Sequence, residues 1–365
     1  MNPSKVSPIV LDCGSLNCKA GFADIAKRAP DFIFKTSEPF EEPGGSGQST
    51  EQAVPIQDGC VEDWDRMETL WEFTFKEKMK VDPSEHPVLM SEPDFNPHEA
   101  RKEPLQIFFE KFRVPAFHLG SQGMLSLYSV GLSSGLVIHS GHGQSYVMTA
   151  HNGHRPRFGR VPLRCTGQRL TRYAQELITT SLGQQPNLDV KTVDLKTAEK
   201  FKEDHGFLRS HPQDNDIPSE IVSLDTDGKK YSVDASYIGA KLGEALLNPS
   251  LMGLPSMGLG EAVKECIVLS DDDDFMDEVY LENIVLAGGN TLFRGLQARL
   301  TAEVDKVKFL PFMNVNVKAA PYRLYSNWVG GSVIASLPTF DPCWITKQEF
   351  EEYGSNIFHQ KCLPY

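Results

Sequence analysis

At 365 residues the chain is too long for one ordinary core, and with 40% hydrophobic and 23% charged residues it reads as globular, which excludes disorder as a whole-chain description. A formal net charge of -13 argues against nucleic acid or an anionic membrane as a dominant partner, because phosphate binding needs concentrated Lys and Arg. Seven scattered cysteines, Cys13, Cys18, Cys60, Cys165, Cys266, Cys343 and Cys362, contain no C-x-x-C pair and suggest reduced thiols, while no segment approaches the roughly 20 apolar residues of a membrane helix.

Ile9-Val10-Leu11 is an apolar strand that ends in Asp12-Cys13-Gly14-Ser15, and the alternation at Cys18, Ala20 and Phe22 predicts its hairpin partner. From Glu41 to Gln52 the composition turns to Glu, Pro, Gly, Ser and Gln around Gly44-Gly45-Ser46-Gly47, which predicts a mobile surface loop without an apolar anchor. Helical spacing over Trp64 to Met79, His98 to Phe112 and Gln122 to Ser129 alternates with buried strands at Pro87-Met90 and Leu136-Ile138, so the fold class is α/β.

The segment Leu136-Val137-Ile138-His139-Ser140-Gly141-His142-Gly143 repeats the layout of the first hairpin, which predicts two related lobes. Ile284-Ala287 leads into Gly288-Gly289, and a helix is expected from Leu292 to Val304, with the glycines at its N-terminus where a ligand could approach backbone closely. The run Asp271 to Asp274 lacks the spacing of a calcium loop and reads as a solvated helix start. His139-x-x-His142 and His151-x-x-His154 imitate a zinc spacing, but an extended strand between them, at roughly 3.3 Å per residue, would hold the pairs about 30 Å apart.

Asp12-Cys13-Gly14-Ser15 with Lys19-Ala20-Gly21-Phe22 resembles the first phosphate loop of actins. Glu85-His86-Pro87-Val88-Leu89, Leu125-Ser126-Leu127-Tyr128, Trp328 to Leu337 and Trp344 to Glu349 are similar to further actin blocks, so the likeness runs from about Pro8 to Cys362. The resemblance implies the two-lobed ATPase fold shared by actin, heat-shock chaperone ATPases and sugar kinases, with an interlobe nucleotide cleft. It puts the outer lobe at 1–129 with 326–365, its short outer subdomain at about 34–54, and the inner lobe at 130–325, with an outer part at about 166–254.

Carried over position by position, the resemblance assigns nucleotide contacts to Asp12, Gly14, Ser15, Lys19, His139, Gly141, His142, Gly143, Lys202, Glu203, Gly288, Gly289, Leu292 and Phe293. Gln122 matches the glutamine that orients the attacking water. The departures fall on the second loop, where actins carry Asp at the positions of His139 and His142, a histidine at Tyr146 and a lysine at Leu324. Mg²⁺ prefers carboxylate oxygen, and Asp12 is left as its one ligand, acting through water. ATP or ADP is thus expected to bind as a static group, or not at all, with little hydrolysis. A protonated His139 or His142 beside a phosphate would be a partial substitute for metal charge.

Tyr128, Gly131, Ser133, Ile334, Leu337, Thr339 and Phe340 match the lower interlobe groove that actins offer to partner helices, and His154 and Pro338 depart from it. The expected role is a structural subunit of a cytoplasmic cytoskeletal or nuclear assembly, with protein partners that include actin or other actin-related subunits. Rival readings are a polymerising ATPase and the sugar-kinase branch of the fold, which the C-terminal block opposes.

Overall fold

The computed structural model describes residues 6–40, 54–97, 99–154, 158–183, 193–211, 218–226, 229–270, 274–307 and 312–362. They gather in two compact units, Met1–Val137 with Ala150–Arg157 and Ala320–Tyr365, and Ile138–Thr149 with Phe158–Ala319. The first boundary therefore falls within the strand Gly135–Ser140, later than the Ser129 expected from sequence, and the chain returns to the first unit at Ala320 rather than at Ser326. The loop Glu41 to Gln52 and the acids Asp271 to Asp273 lie outside the described residues.

The first unit is built on a six-stranded sheet in the order Ile345–Thr346, Ala116–Ser121, Val88–Glu92, Ile9–Cys13, Asn17–Phe22 and Phe32–Lys35. Its central three strands run parallel, with Ile9 opposite Val88 and Met90 opposite Leu119. Both faces of these strands are covered, which explains their unbroken apolar runs. On one face Ile9, Leu11, Val88 and Met90 meet the aromatic cluster of Trp71, Phe75, Phe108 and Phe117. On the other, Val10 and Leu89 meet Leu125, Trp328 and Trp344.

The helix Ser326–Ala335 can press on this second face because its sequence is small there. A Cβ on Gly330 would stand 1.8 Å from the carbonyl of Leu125, and one on Gly331 would crowd Val10 and Leu89. The buried Trp328 indole is satisfied by donating to the carbonyl of Val10 at 3.0 Å. The helix Trp64–Phe73 begins at the cap Asp63, whose side chain accepts from Arg66 N, and continues to Met79 in a wider π turn. The helix Gln122–Ser129 has the expected bounds and is capped by Ser121.

The second unit holds a five-stranded sheet in the order Arg160–Leu163, Ser145–Ala150, Gly135–Ser140, Ile284–Ala287 and Val317–Lys318, with a separate two-stranded ribbon of Ile221–Thr226 and Lys229–Asp234. The strand Ile284–Ala287 does not pass straight into a helix. A 3₁₀ turn, Gly289–Leu292, intervenes, and the helix is Leu296–Val307. Gly288, at φ 90°, explains the detour, because a side chain there would stand 2.4 Å from the carbonyl of Ser140.

Candidate functional site

The strands Ile9–Cys13 and Asn17–Phe22 form a hairpin closed by Gly14 N donating to the carbonyl of Asn17 at 2.9 Å, so Ser15 and Leu16 are its tip. Asp12 faces Lys19 across the ladder, and Lys19 Nζ donates to Asp12 Oδ2 at 2.7 Å. The other carboxylate oxygen accepts from Ser91 Oγ at 2.6 Å and from Asn327 Nδ2 at 3.4 Å. Burial opposes the charge on Asp12, but the Lys19 ammonium and these hydrogen bonds outweigh it and hold the carboxyl below its ordinary range. The same pairing lifts Lys19 above its usual value against the effect of its own burial.

Gln122 is buried at the start of its helix, and its amide reaches Ser91 Oγ at 3.5 Å. Asp12, Lys19, Ser91, Asn327 and Gln122 thus form one polar network. Ser15 Oγ accepts from Gly59 N at 3.2 Å, and the carbonyl of Gly14 accepts from Thr36 Oγ1 at 2.7 Å. Ser91 and Asn327 escaped the sequence reading because each sits in an otherwise structural segment, with only the fold to aim it at Asp12.

The second hairpin, Gly135–Ser140 with Ser145–Ala150, closes in the same way, Gly141 N donating to the carbonyl of Gln144 at 2.8 Å. His142 and Gly143 are its tip. By the same count His139 stands opposite Tyr146, as Asp12 stands opposite Lys19, and the two rings stack with centroids 5.0 Å apart and planes 10° from parallel. His142 Nδ1 lies 3.9 Å from Glu199 Oε1. Asn290 Nδ2 anchors the turn by donating to Ser140 Oγ and to the carbonyl of Gly141, each at 3.0 Å. Asn290 directly follows the glycine pair Gly288-Gly289 in sequence, but its role as an anchor required the fold.

The remaining expected contacts divide. Lys202 is buried, and its ammonium donates to Thr171 Oγ1 at 2.9 Å and to the carbonyl of Gly167 at 3.3 Å. Phe293 is buried, and a side chain on Gly206 would strike its ring at 2.6 Å. Glu203 and Leu292 are exposed, and Gly288 and Gly289 are half-buried beside the second hairpin. The helix N-terminus foreseen behind the glycines is corrected to the 3₁₀ turn.

All members of the expected partner groove belong to the first unit. Tyr128, Ile334 and Phe340 pack, half-buried, on the cluster of Trp328 and Trp344. Phe340 makes edge contacts with Trp344 at 5.3 Å and with His118 at 4.8 Å. Leu337 is half-buried, and Gly131, Ser133, His154 and Thr339 are exposed. Gly153 N donates to the carbonyl of Ser133, and a Cβ on Gly153 would come within 3.3 Å of the Tyr128 hydroxyl, so the turn that carries His154 adjoins Tyr128.

The sequence model of the family described as Actin matches residues 4–226 and 199–363. The chain belongs to the actin family. It is 31% identical over 392 aligned residues to actin-like protein 7B of Mus musculus, covering 98% of this chain and 88% of that protein. Actin-like protein 7A of Mus musculus is 31% identical over 375 residues, covering 97% and 83%, and actin-like protein 9 of Homo sapiens 31% over 384, covering 99% and 89%. The two-lobed α/β fold expected from the resemblance is thereby that of the family.

The family resemblance implies hydrated Mg²⁺, and the donors present are a poor match for it. One hairpin offers a carboxylate already bonded to Lys19, Ser91 and Asn327, and the other offers imidazoles. Among the described residues there is no group of three or more His, Cys, Asp or Glu that could hold a metal ion. Among them, too, no helix is long and apolar enough to cross a membrane.

Proposed function

We propose that this actin-family chain is a structural and interaction subunit of a cytoskeletal or nuclear assembly, in which ATP or ADP serves at most as a static clamp and is scarcely hydrolysed. The observation that carries the reading is the second hairpin, where His139 lies flat on Tyr146 and no carboxylate stands at either His139 or His142. Phosphoryl transfer relies on metal charge and positioning, and the carboxylate and amide of Asp12 and Gln122 alone supply little of either.

Protein partners, actin or other actin-related subunits among them, dock in this reading on the apolar surface of Tyr128, Ile334, Leu337 and Phe340 by laying an amphipathic helix against it. Nucleic acid and membrane have no part in it. The proposed location is the cytoplasmic cytoskeleton, with the nucleus as the alternative. The deciding measurement is steady-state phosphate release by the purified protein with Mg²⁺ and ATP, alongside filamentous actin. Background release is expected. Turnover comparable to actin overturns the reading in favour of a polymerising ATPase, and helical filaments that sediment and are visible by electron microscopy would support that alternative directly.

A further inference from the structure

Cys13 and Cys18 stand directly opposite one another across the first hairpin. The hydrogen bond from Gly14 N to Asn17 O makes the next pair toward the tip a hydrogen-bonded one, so by alternation Cys13 and Cys18 occupy a non-hydrogen-bonded pair. Such pairs bring Cα atoms to about 4.5 Å and side chains closest together. The second hairpin supplies an internal measure of that approach. Its equivalent residues are Ser140 and Ser145, and their hydroxyl oxygens are 3.0 Å apart. Both cysteines pack on the same core face, Cys18 fully buried and Cys13 half-buried.

Cys13 also lines a small pocket bordered by Gly59, Val61, Trp64 and Asn96, and like each of these residues it is partly exposed, so the pair meets solvent on the Cys13 side. Disulfides form between Cα atoms roughly 4.4–6.8 Å apart, so a cross-strand pair at the short end of that range can close, but under strain. Strained bridges have the more oxidising potentials, which makes them reversible.

The geometry points to Cys13 and Cys18 as a reversible dithiol–disulfide pair that staples the first phosphate hairpin, closed by a low-molecular-mass disulfide such as oxidised glutathione. In the first step the Cys13 thiolate attacks one sulfur of the reagent, forming a mixed disulfide and expelling one glutathione thiolate. In the second, the Cys18 thiolate attacks Cys13 Sγ and expels the other. The protein thiols together lose two electrons and two protons, and the reagent leaves as two molecules of reduced glutathione. The neighbouring Cys18 and burial hold the Cys13 thiol above its ordinary range, so the attacking thiolate is the minor form and closure should quicken as pH rises. The bridge would fix the strands immediately beside Asp12 and Lys19, independently of whether nucleotide is bound.

The test uses the full chain, reduced, freed of reductant and exposed to oxidised glutathione, then denatured and alkylated. Cleavage after Lys5 and Lys19 releases Val6 to Lys19, one tryptic peptide that carries both cysteines. The expected result is that this peptide loses two hydrogens and escapes alkylation until reduced, with the closed form exceeding the glutathione adduct by roughly tenfold or more, since the second thiol is already in place. Cys18→Ser should instead trap glutathione on Cys13. The inference is overturned by recovery of the wild-type peptide alkylated on both cysteines while the half-buried Cys60 or Cys343 has reacted. It is equally overturned by a glutathione adduct on Cys13 that does not go on to close.

Discussion

The two hairpins share a backbone and differ in what that backbone is asked to hold. Both close through a glycine amide donating three residues ahead, Gly14 to Asn17 and Gly141 to Gln144. Around that common turn, Asp12 and Lys19 are answered by His139 and Tyr146, and Cys13 and Cys18 by Ser140 and Ser145. The first hairpin keeps an ion pair inside a hydrogen-bonded network, and the second replaces charge by a stacked pair of rings. A fold thus conserves the placement of opposing positions while their chemistry is free to change, provided that each buried polar group finds a partner within reach.

The largest effect that would sharpen this comparison is at Asp12. Asp12→Ala leaves the Lys19 ammonium in a site built for its neutralisation, and a loss of about 3–5 kcal/mol in denaturant unfolding is expected. His139→Ala, at the equivalent place, should cost less, because no charge is stranded there. Equal losses would erase the distinction drawn between the hairpins.

Next in size is the response of the first unit to acid. Burial holds the His118 imidazole down at about 4, so the folded state keeps it neutral while the unfolded chain takes up a proton near 6.5. Its contribution is complete above 6.5, is lost as pH falls from 6.5 to about 4, and amounts to about 3 kcal/mol. Asp12 adds a separate loss at lower pH, since its depressed carboxyl stabilises the fold above 3.8 and ceases to do so as pH falls through its folded value. Unfolding free energy against pH should therefore decline in two stages, and His118→Gln should remove the first.

Smaller again is the reversal of the second hairpin. His139→Asp with His142→Asp forfeits the stacking on Tyr146, worth about 0.5–1.5 kcal/mol, and should confer magnesium-dependent retention of ATP during gel filtration. Retention that is insensitive to magnesium in the variant would mean that the metal is excluded by other residues. The smallest effect on the fold is expected at Leu337→Asp, a half-buried position beside Phe340. Circular dichroism should be unchanged, and affinity for a groove-binding helix should fall about fivefold on loss of an apolar contact of about 1 kcal/mol. A folded variant that keeps every partner captured by the wild-type protein would remove the groove as the docking surface.

Sequence alone determined the α/β class, the two hairpins and the helix Gln122–Ser129, because alternation, apolar runs and caps are local signals. It also exposed the missing carboxylates, since His139 and His142 are identities that need no folding to be seen. The helix after Gly289 was misplaced because the close approach of Gly288 to Ser140 is a contact between distant segments. For the same reason only the tertiary structure could give Asp12 its partners Ser91 and Asn327, give the Gly141 carbonyl its donor Asn290, and turn the Lys202 ammonium inward to Thr171. Pattern reports which face a residue occupies, whereas a hydrogen bond or an ion pair depends on what the fold brings to that face.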